Sequence, residues 1–121
     1  MIHLILLFFL ILLDQTTKYF LTTTVNTGAA FSLFQGQRIF LIIISIIVIV
    51  VTLIYYKNKE YRLPLAFILA GTIGNLIDRT FLGHVRDFID LKFWPVFNIA
   101  DTSIVIGVFL LIYKLWKKDH S

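Results

Sequence analysis

Apolar residues run almost unbroken from Ile2 to Leu13, and the polar pair that follows, Asp14 and Lys18, stands four residues apart. A helix stopping at Leu13 would be only about 20 Å long, short of the roughly 30 Å hydrocarbon core of a bilayer. Carried on through DQTTKYFL it reaches about 30 Å. The pattern therefore predicts a helix over Ile2–Leu21, with Asp14 and Lys18 on one face near the far interface. Ile39–Tyr56 is nearly pure Ile, Val and Leu, with Ser45 and Thr52 as its interior polar positions, and reads as the clearest span. A third helix is predicted from about Leu65 to Phe81, with Pro64 suited to its first turn. It is less apolar and carries Gly71, Gly74, Asn75, Asp78 and Arg79. A fourth runs from about Ile99 to Trp116 and leads into a Lys-rich tail. Between the first two helices, Thr22–Gln37 mixes β-branched threonines, a turn-like NTG and short apolar alternation, which predicts short strands or an irregular hairpin.

Composition turns these helices into membrane spans. The 121 residues are 59% hydrophobic, against about 45–50% for an ordinary soluble domain, and the mean hydropathy is +0.89. Four spans of about 20 residues take about 80 and leave about 40, so one domain over residues 1–121 is expected. The opening MIHLILLFFLILLD has neither a basic n-region nor a small-x-small cleavage site, and is expected to be a retained helix. The net charge of +4 is scattered around the apolar runs. It suits headgroup contact and gives no nucleic-acid groove. Cysteine is absent, which excludes disulfides and thiolate chemistry. His3, His84 and His120 lack ligand spacing, so no metal is expected. Four spans put both termini on the side of Lys57, Lys59, Arg62, Lys114, Lys117 and Lys118, which the positive-inside rule makes cytoplasmic. The margin is narrow, because Lys18, Arg38, Arg79, Arg86 and Lys92 lie opposite.

Ionisable groups at membrane depth are costly and need a reason. Gly71, Asn75 and Arg79 step by four along one helix face. Small-residue packing at Ala70 and Gly74 with a snorkelling arginine would explain them as structure. Asn98 suits an N-cap, with Asp101 three residues on to close a capping box. Asp14 and Lys18 can form an intrahelical ion pair. Yet Asp14, Asn26, Asn75, Arg79, Asp87, Asn98 and Asp101 all fall at one membrane face of the four-span layout. Two carboxylates brought together there share a proton, the arrangement by which aspartic proteases activate water. A Ser/Lys or Thr/Lys pair is disfavoured, since Asp14 would keep the Lys18 amine protonated. The alternative is a small proton- or cation-coupled transporter or channel subunit, which would need polar residues in both halves of the membrane. A non-enzymatic scaffold held by small-residue packing is a third reading. Asp90 reads as a solvated loop charge.

Five segments in order, DQTTK (14–18), NTGAAFS (26–32), GTIGNLIDR (71–79), VRDFID (85–90) and FNIADTSIVIG (97–107), resemble the motifs of the bacterial lipoprotein signal peptidases, signal peptidase II. The resemblance implies an all-α membrane protein: a four-transmembrane-helix bundle with a small extracytoplasmic β-cradle, supplied largely by Thr22–Gln37. It implies an aspartic endopeptidase of the bacterial inner membrane that cleaves prolipoproteins just before a diacylglyceryl-modified cysteine, on the outer face, without metal or cofactor. The catalytic pair then falls on Asp87 and Asp101. Substrate-binding positions fall on Asn26, Gly71, Asn75, Arg79 and Asn98, and site-organising ones on Asp14 and Lys18. The implied partners are a lipidated prolipoprotein and membrane lipid, with no nucleic acid, and a monomer is expected. The chain departs from the family pattern at Ala70, where Gly is common, at Arg86, where a small apolar residue is common, and in its short segment between Asp87 and Asp101.

Overall fold

The computed structural model describes residues 1–29 and 33–121. Among them four long helices dominate: α1 (Ile2–Leu21), α2 (Arg38–Tyr55), α3 (Arg62–Phe81) and α4 (Ile99–Asp119). Two short strands, β1 (Thr24–Asn26) and β2 (Val85–Asp87), pair antiparallel, with Thr24 opposite Asp87 and Asn26 opposite Val85. α1 occupies the predicted residues. α3 begins earlier than Leu65 because a 3₁₀ turn at Lys59–Tyr61, capped by the Asn58 side chain, feeds straight into it. Pro64 still sits in the first turn, where a missing N–H breaks no helical bond. α4 runs past Trp116 to Asp119, with Lys117 and Lys118 facing the negative end of the helix dipole.

Three helices, α1, α2 and α4, are long and apolar enough to cross a membrane. α3 is equally long but carries the polar residues, and it lies inside. Eleven of its 20 residues are buried, against three in α1 and three in α2. The other helices turn large apolar side chains outward, such as Phe8, Ile47 and Phe109. That distribution suits lipid, where outward apolar groups cost nothing and every backbone polar group must be satisfied within the helix.

Without a hydrophobic drive between helices, close packing holds the bundle. Among the described residues one small apolar cluster forms between the helices: Leu7, Leu69 and Ala70, with Leu10, Ile11, Ile49 and Ile73 against them. α3 and α4 meet at glycines. A Cβ on Gly107 would come within 2.7 Å of the Pro64 carbonyl oxygen and 2.8 Å of the Ile68 nitrogen. A Cβ on Gly71 would collide with the Ala100 carbonyl and with Ile104. At one end of the bundle, Lys114 Nζ donates to the Glu60 carbonyl at 2.8 Å, joining α4 to the 3₁₀ turn. At the other end lie the sheet, the C-terminal turns of α1 and α3 and the first turn of α4. Of the strands or hairpin predicted for Thr22–Gln37, the described residues hold one strand, β1, which pairs with β2 rather than within the segment; Ala30, Phe31 and Ser32 lie outside the described residues.

Candidate active site

The first turn of α4 organises the site. Asn98 is its N-cap: its side-chain oxygen accepts from Asp101 N at 2.8 Å, and Asp101 Oδ2 accepts from Asn98 N at 3.3 Å. This closes the capping box that the spacing predicts. The amide end of Asn98 has further partners. Its Nδ2 donates to Asp87 Oδ1 at 2.8 Å, to Asn75 Oδ1 at 3.2 Å and to the Arg86 carbonyl at 3.2 Å. Asn75 Nδ2 in turn donates to Asp101 Oδ1 at 3.0 Å. Asn98 thus touches both carboxylates, and both are 2% exposed. The pair comes from different elements, Asp87 from β2 and Asp101 from α4. Burial, reinforced by the Asp101 charge, pushes the Asp87 carboxyl up to about 7, against hydrogen bonds from Asn26 and Asn98 that favour its ionised form.

Behind this pair lies a buried ionic cluster. Lys18 Nζ stands 2.7 Å from Asp14 Oδ2 and 3.4 Å from Asp78 Oδ2. It also donates to Asn75 Oδ1 at 3.1 Å and to the Gly74 carbonyl at 3.3 Å. Asp14 Oδ1 accepts from Ala100 N at 2.8 Å, so the α1 carboxylate reaches the open N-terminus of α4. Gly74 makes this possible, since a Cβ there would sit 2.5 Å from Asp14 Oδ2.

Arg79 is buried and forms the wall on the other side. Its Nη2 donates to the Gly28 carbonyl at 3.0 Å, while its Nε has no hydrogen-bond partner among the described residues. Arg38, at the start of α2, donates from Nε to the Arg79 carbonyl at 2.9 Å and from Nη2 to the Thr80 carbonyl at 3.0 Å, capping α3. Asn26 accepts from Gly28 N at 2.7 Å and donates to the Ala29 carbonyl at 3.0 Å, which folds the chain after β1 back toward Arg79. Asn75, Arg79 and Asp101 open into a cavity of about 330 Å³ between α2, α3 and α4. It shares Val48 and Ile68 with an apolar groove of about 590 Å³ that extends to Tyr55 and Leu115. Asp101 also borders a depression of about 250 Å³ lined by Leu91, Trp94, Phe97, Val105 and Ile106.

Asp14, Lys18, Asn26, Asn75, Arg79, Asp87, Asn98 and Asp101 therefore converge. Gly71 does not open into this space; it is the point where α3 presses on α4. Asp90 is exposed and pairs with Lys92 Nζ at 3.4 Å. Two contributors, Arg86 and Gln15, escape sequence reading, and both converge on Asp78. Arg86 donates to Asp78 from N, Nε and Nη2 at 3.0, 3.1 and 3.0 Å, and from Nη2 to Gln15 Oε1 at 2.9 Å. Gln15 Nε2 reaches Asp14, the Gly74 carbonyl and Asp78. The available signal was position: Asp78 lies one turn beyond Gly74, and Arg86 alternates with Asp87 along β2.

The signal peptidase (SPase) II family model matches residues 19–117. The chain belongs to the signal peptidase II family. The lipoprotein signal peptidase of Caldanaerobacter subterraneus subsp. tengcongensis is 42% identical, over 93% of this chain and 94% of its own length. That of Halothermothrix orenii is 40% identical over 84% and 72%, and that of Thermodesulfovibrio yellowstonii 36% over 93% and 92%. A bacterial membrane enzyme structure determined by the in meso method at 2.3 Å resolution superposes with a TM-score of 0.89 at 31% identity, covering 97% of this chain and 88% of that one. The chain thus shares sequence with lipoprotein signal peptidases and fold with a bacterial membrane enzyme.

Proposed function

We propose that Asp87 and Asp101 are the paired carboxylates with which this chain cleaves prolipoproteins just before a diacylglyceryl-modified cysteine. Membership of the family makes the chain an endopeptidase that removes signal peptides from prolipoproteins. The observation that carries the residue assignment is Asn98, whose side-chain amide donates to the buried Asp87 carboxylate and whose backbone N–H donates to the buried Asp101 carboxylate. Two such groups share one proton. The ionised member takes a proton from water as the oxygen attacks the scissile carbonyl. The protonated member donates to the carbonyl oxygen. The tetrahedral intermediate then collapses, and the leaving amine takes a proton from the pair.

The Arg79 Nε, which has no hydrogen-bond partner among the described residues, supplies a donor for the substrate backbone, and Asn26, Asn75 and Asn98 line its path, with Gly71 keeping α4 close enough to complete the wall. Asp14 and Lys18 hold α1, α3 and α4 in register around the pair. The signal helix lies along the groove between α2, α3 and α4. The acyl chains lie in the apolar depression beside Trp94 and Phe97, where each buried CH₂ contributes about 0.8 kcal/mol. Asp101 lines both the cavity that leads into the groove and the apolar depression, which suits a scissile bond flanked by an apolar helix and a lipid. α3 is the fourth span, screened from lipid by its neighbours. The chain acts as a monomer in the bacterial inner membrane, both termini cytoplasmic and the site outward. Ion transport, the alternative, finds no support in the family. The α2 hydroxyls of Ser45 and Thr52 bond to their own helix, at the Leu41 and Val48 carbonyls, and offer no second polar station.

The test is cleavage of a diacylglyceryl-cysteine peptide by purified protein, compared with its unlipidated twin. Asp87→Asn and Asp101→Asn are each expected to lower the rate by about 10²-fold or more. Folded variants that cleave at near wild-type rate would refute the assignment.

A further inference from the structure

We propose that Arg86 is a positioning residue for the reaction: it fastens the strand that carries Asp87, and its charge leaves the buried cluster neutral only when the Asp87–Asp101 pair holds a single proton. The inference rests on the functional reading above. Successive side chains of a strand point to opposite faces. Asp87 turns toward Asn98, while Arg86 turns toward α3 and α1. There its guanidinium is four-fifths buried and grips Asp78 and Gln15. Its own carbonyl accepts from Asn98. β2 is thereby pinned from both sides, with Asp87 one residue from the clamp.

The charges define the second role. Among the described residues, the carboxylates of the cluster are Asp14 from α1, Asp78 from α3, Asp87 from β2 and Asp101 from α4. The cations facing them are Lys18, Arg79 and Arg86. Four carboxylates meet three cations, and one shared proton completes the balance. The remaining nearby charges lie outside: Arg38 is exposed on α2, His84 lies in the turn before β2, and Asp90 pairs with Lys92 in solvent. Without the Arg86 charge, Lys18 alone must serve Asp14 and Asp78. An extra negative charge then stands beside the pair, which holds its protons to higher pH.

The experiment is the pH profile of kcat/KM on the diacylglyceryl-cysteine peptide, for wild type, Arg86→Gln, Arg86→Lys and Asp78→Asn. Arg86→Gln keeps hydrogen-bond donors without charge, and its profile is expected to move up by about half to one pH unit. Arg86→Lys should stay at the wild-type position even if slower, and Asp78→Asn should move down. A slow Arg86→Gln enzyme with an unmoved profile would reduce the residue to structure alone and overturn the proposal. So would an Arg86→Lys profile displaced as far as that of Arg86→Gln. If Arg86→Gln fails to fold by circular dichroism, the Asp78→Asn profile decides, and an unmoved one overturns the idea. Wild-type cleavage is the internal control: its failure would sink the functional reading, and with it present the variants judge Arg86 alone.

Discussion

Replacing Lys18 by Met tests how the buried ionic cluster holds the bundle. Lys18 is 0% exposed and Asp14 1%, so neither charge has water to fall back on. The 2.7 Å contact between them is the tighter of the two that Lys18 Nζ makes with carboxylates; the other, to Asp78, is 3.4 Å. Asp78 keeps three bonds from Arg86 when Lys18 is removed. Asn75 Oδ1 keeps the Asn98 amide. Asp14 keeps the Ala100 N–H and the Gln15 amide but loses its only cation within salt-bridge distance among the described residues. One carboxylate is orphaned, not two, so the expected loss is that of one broken buried pair, about 3–5 kcal/mol. Adding Asp14→Asn removes the stranded charge and should restore stability to within about 1–2 kcal/mol of wild type. Thermal unfolding in micelles, followed by circular dichroism, is the assay. The single variant should melt roughly 10 °C or more below wild type, and the double variant well above the single. A single variant within about 1 kcal/mol of wild type, or a double variant no better than the single, would refute the reasoning.

Two further outcomes concern the packing and the proposed acid–base pair. Gly107→Ala adds a methyl against the Pro64 carbonyl and the Ile68 nitrogen. It should cost about 1–3 kcal/mol in the same unfolding assay, although alanine is the better helix former by about 1 kcal/mol. The raised Asp87 carboxyl links stability to pH. Between its ordinary value of 3.8 and about 7, the folded protein binds a proton that the unfolded chain has released. Stability therefore falls as pH rises through that window and is lowest above it. Asp87→Asn, which has no charge to bury, should flatten this slope and melt above wild type at pH 8; equal slopes would count against the buried, raised carboxyl.

The helices were legible because their apolar runs match bilayer thickness. The α4 cap was legible because Asn98 and Asp101 stand at capping-box spacing. The central place of α3 was not. Hydropathy grades a helix by its own side chains, whereas α3 is buried because its glycines and alanines let neighbours approach, and its polar face is satisfied by residues from α1, β2, α4 and the loop after β1. The eight proposed site residues other than Gly71 converge through motifs far apart in sequence. Gly71 was harder to read, since a small residue on a polar helix face marks close approach without saying whether a helix or a substrate comes near. Arg86 escaped for a similar reason. Its partner Gln15 is 71 residues away, and no periodicity links a strand residue to a helix that distant.

One asparagine caps a helix and touches both carboxylates, so α4 cannot fray at its first turn while the site stays assembled. Helix ends are ordinarily the first parts of a fold to open. Here that opening would carry Asp101 away from Asn75 and release Asp87 from Asn98 in one step. For the catalytic pair proposed above, the working temperature range is then bounded by the melting of a single helical turn, whatever the rest of the bundle withstands.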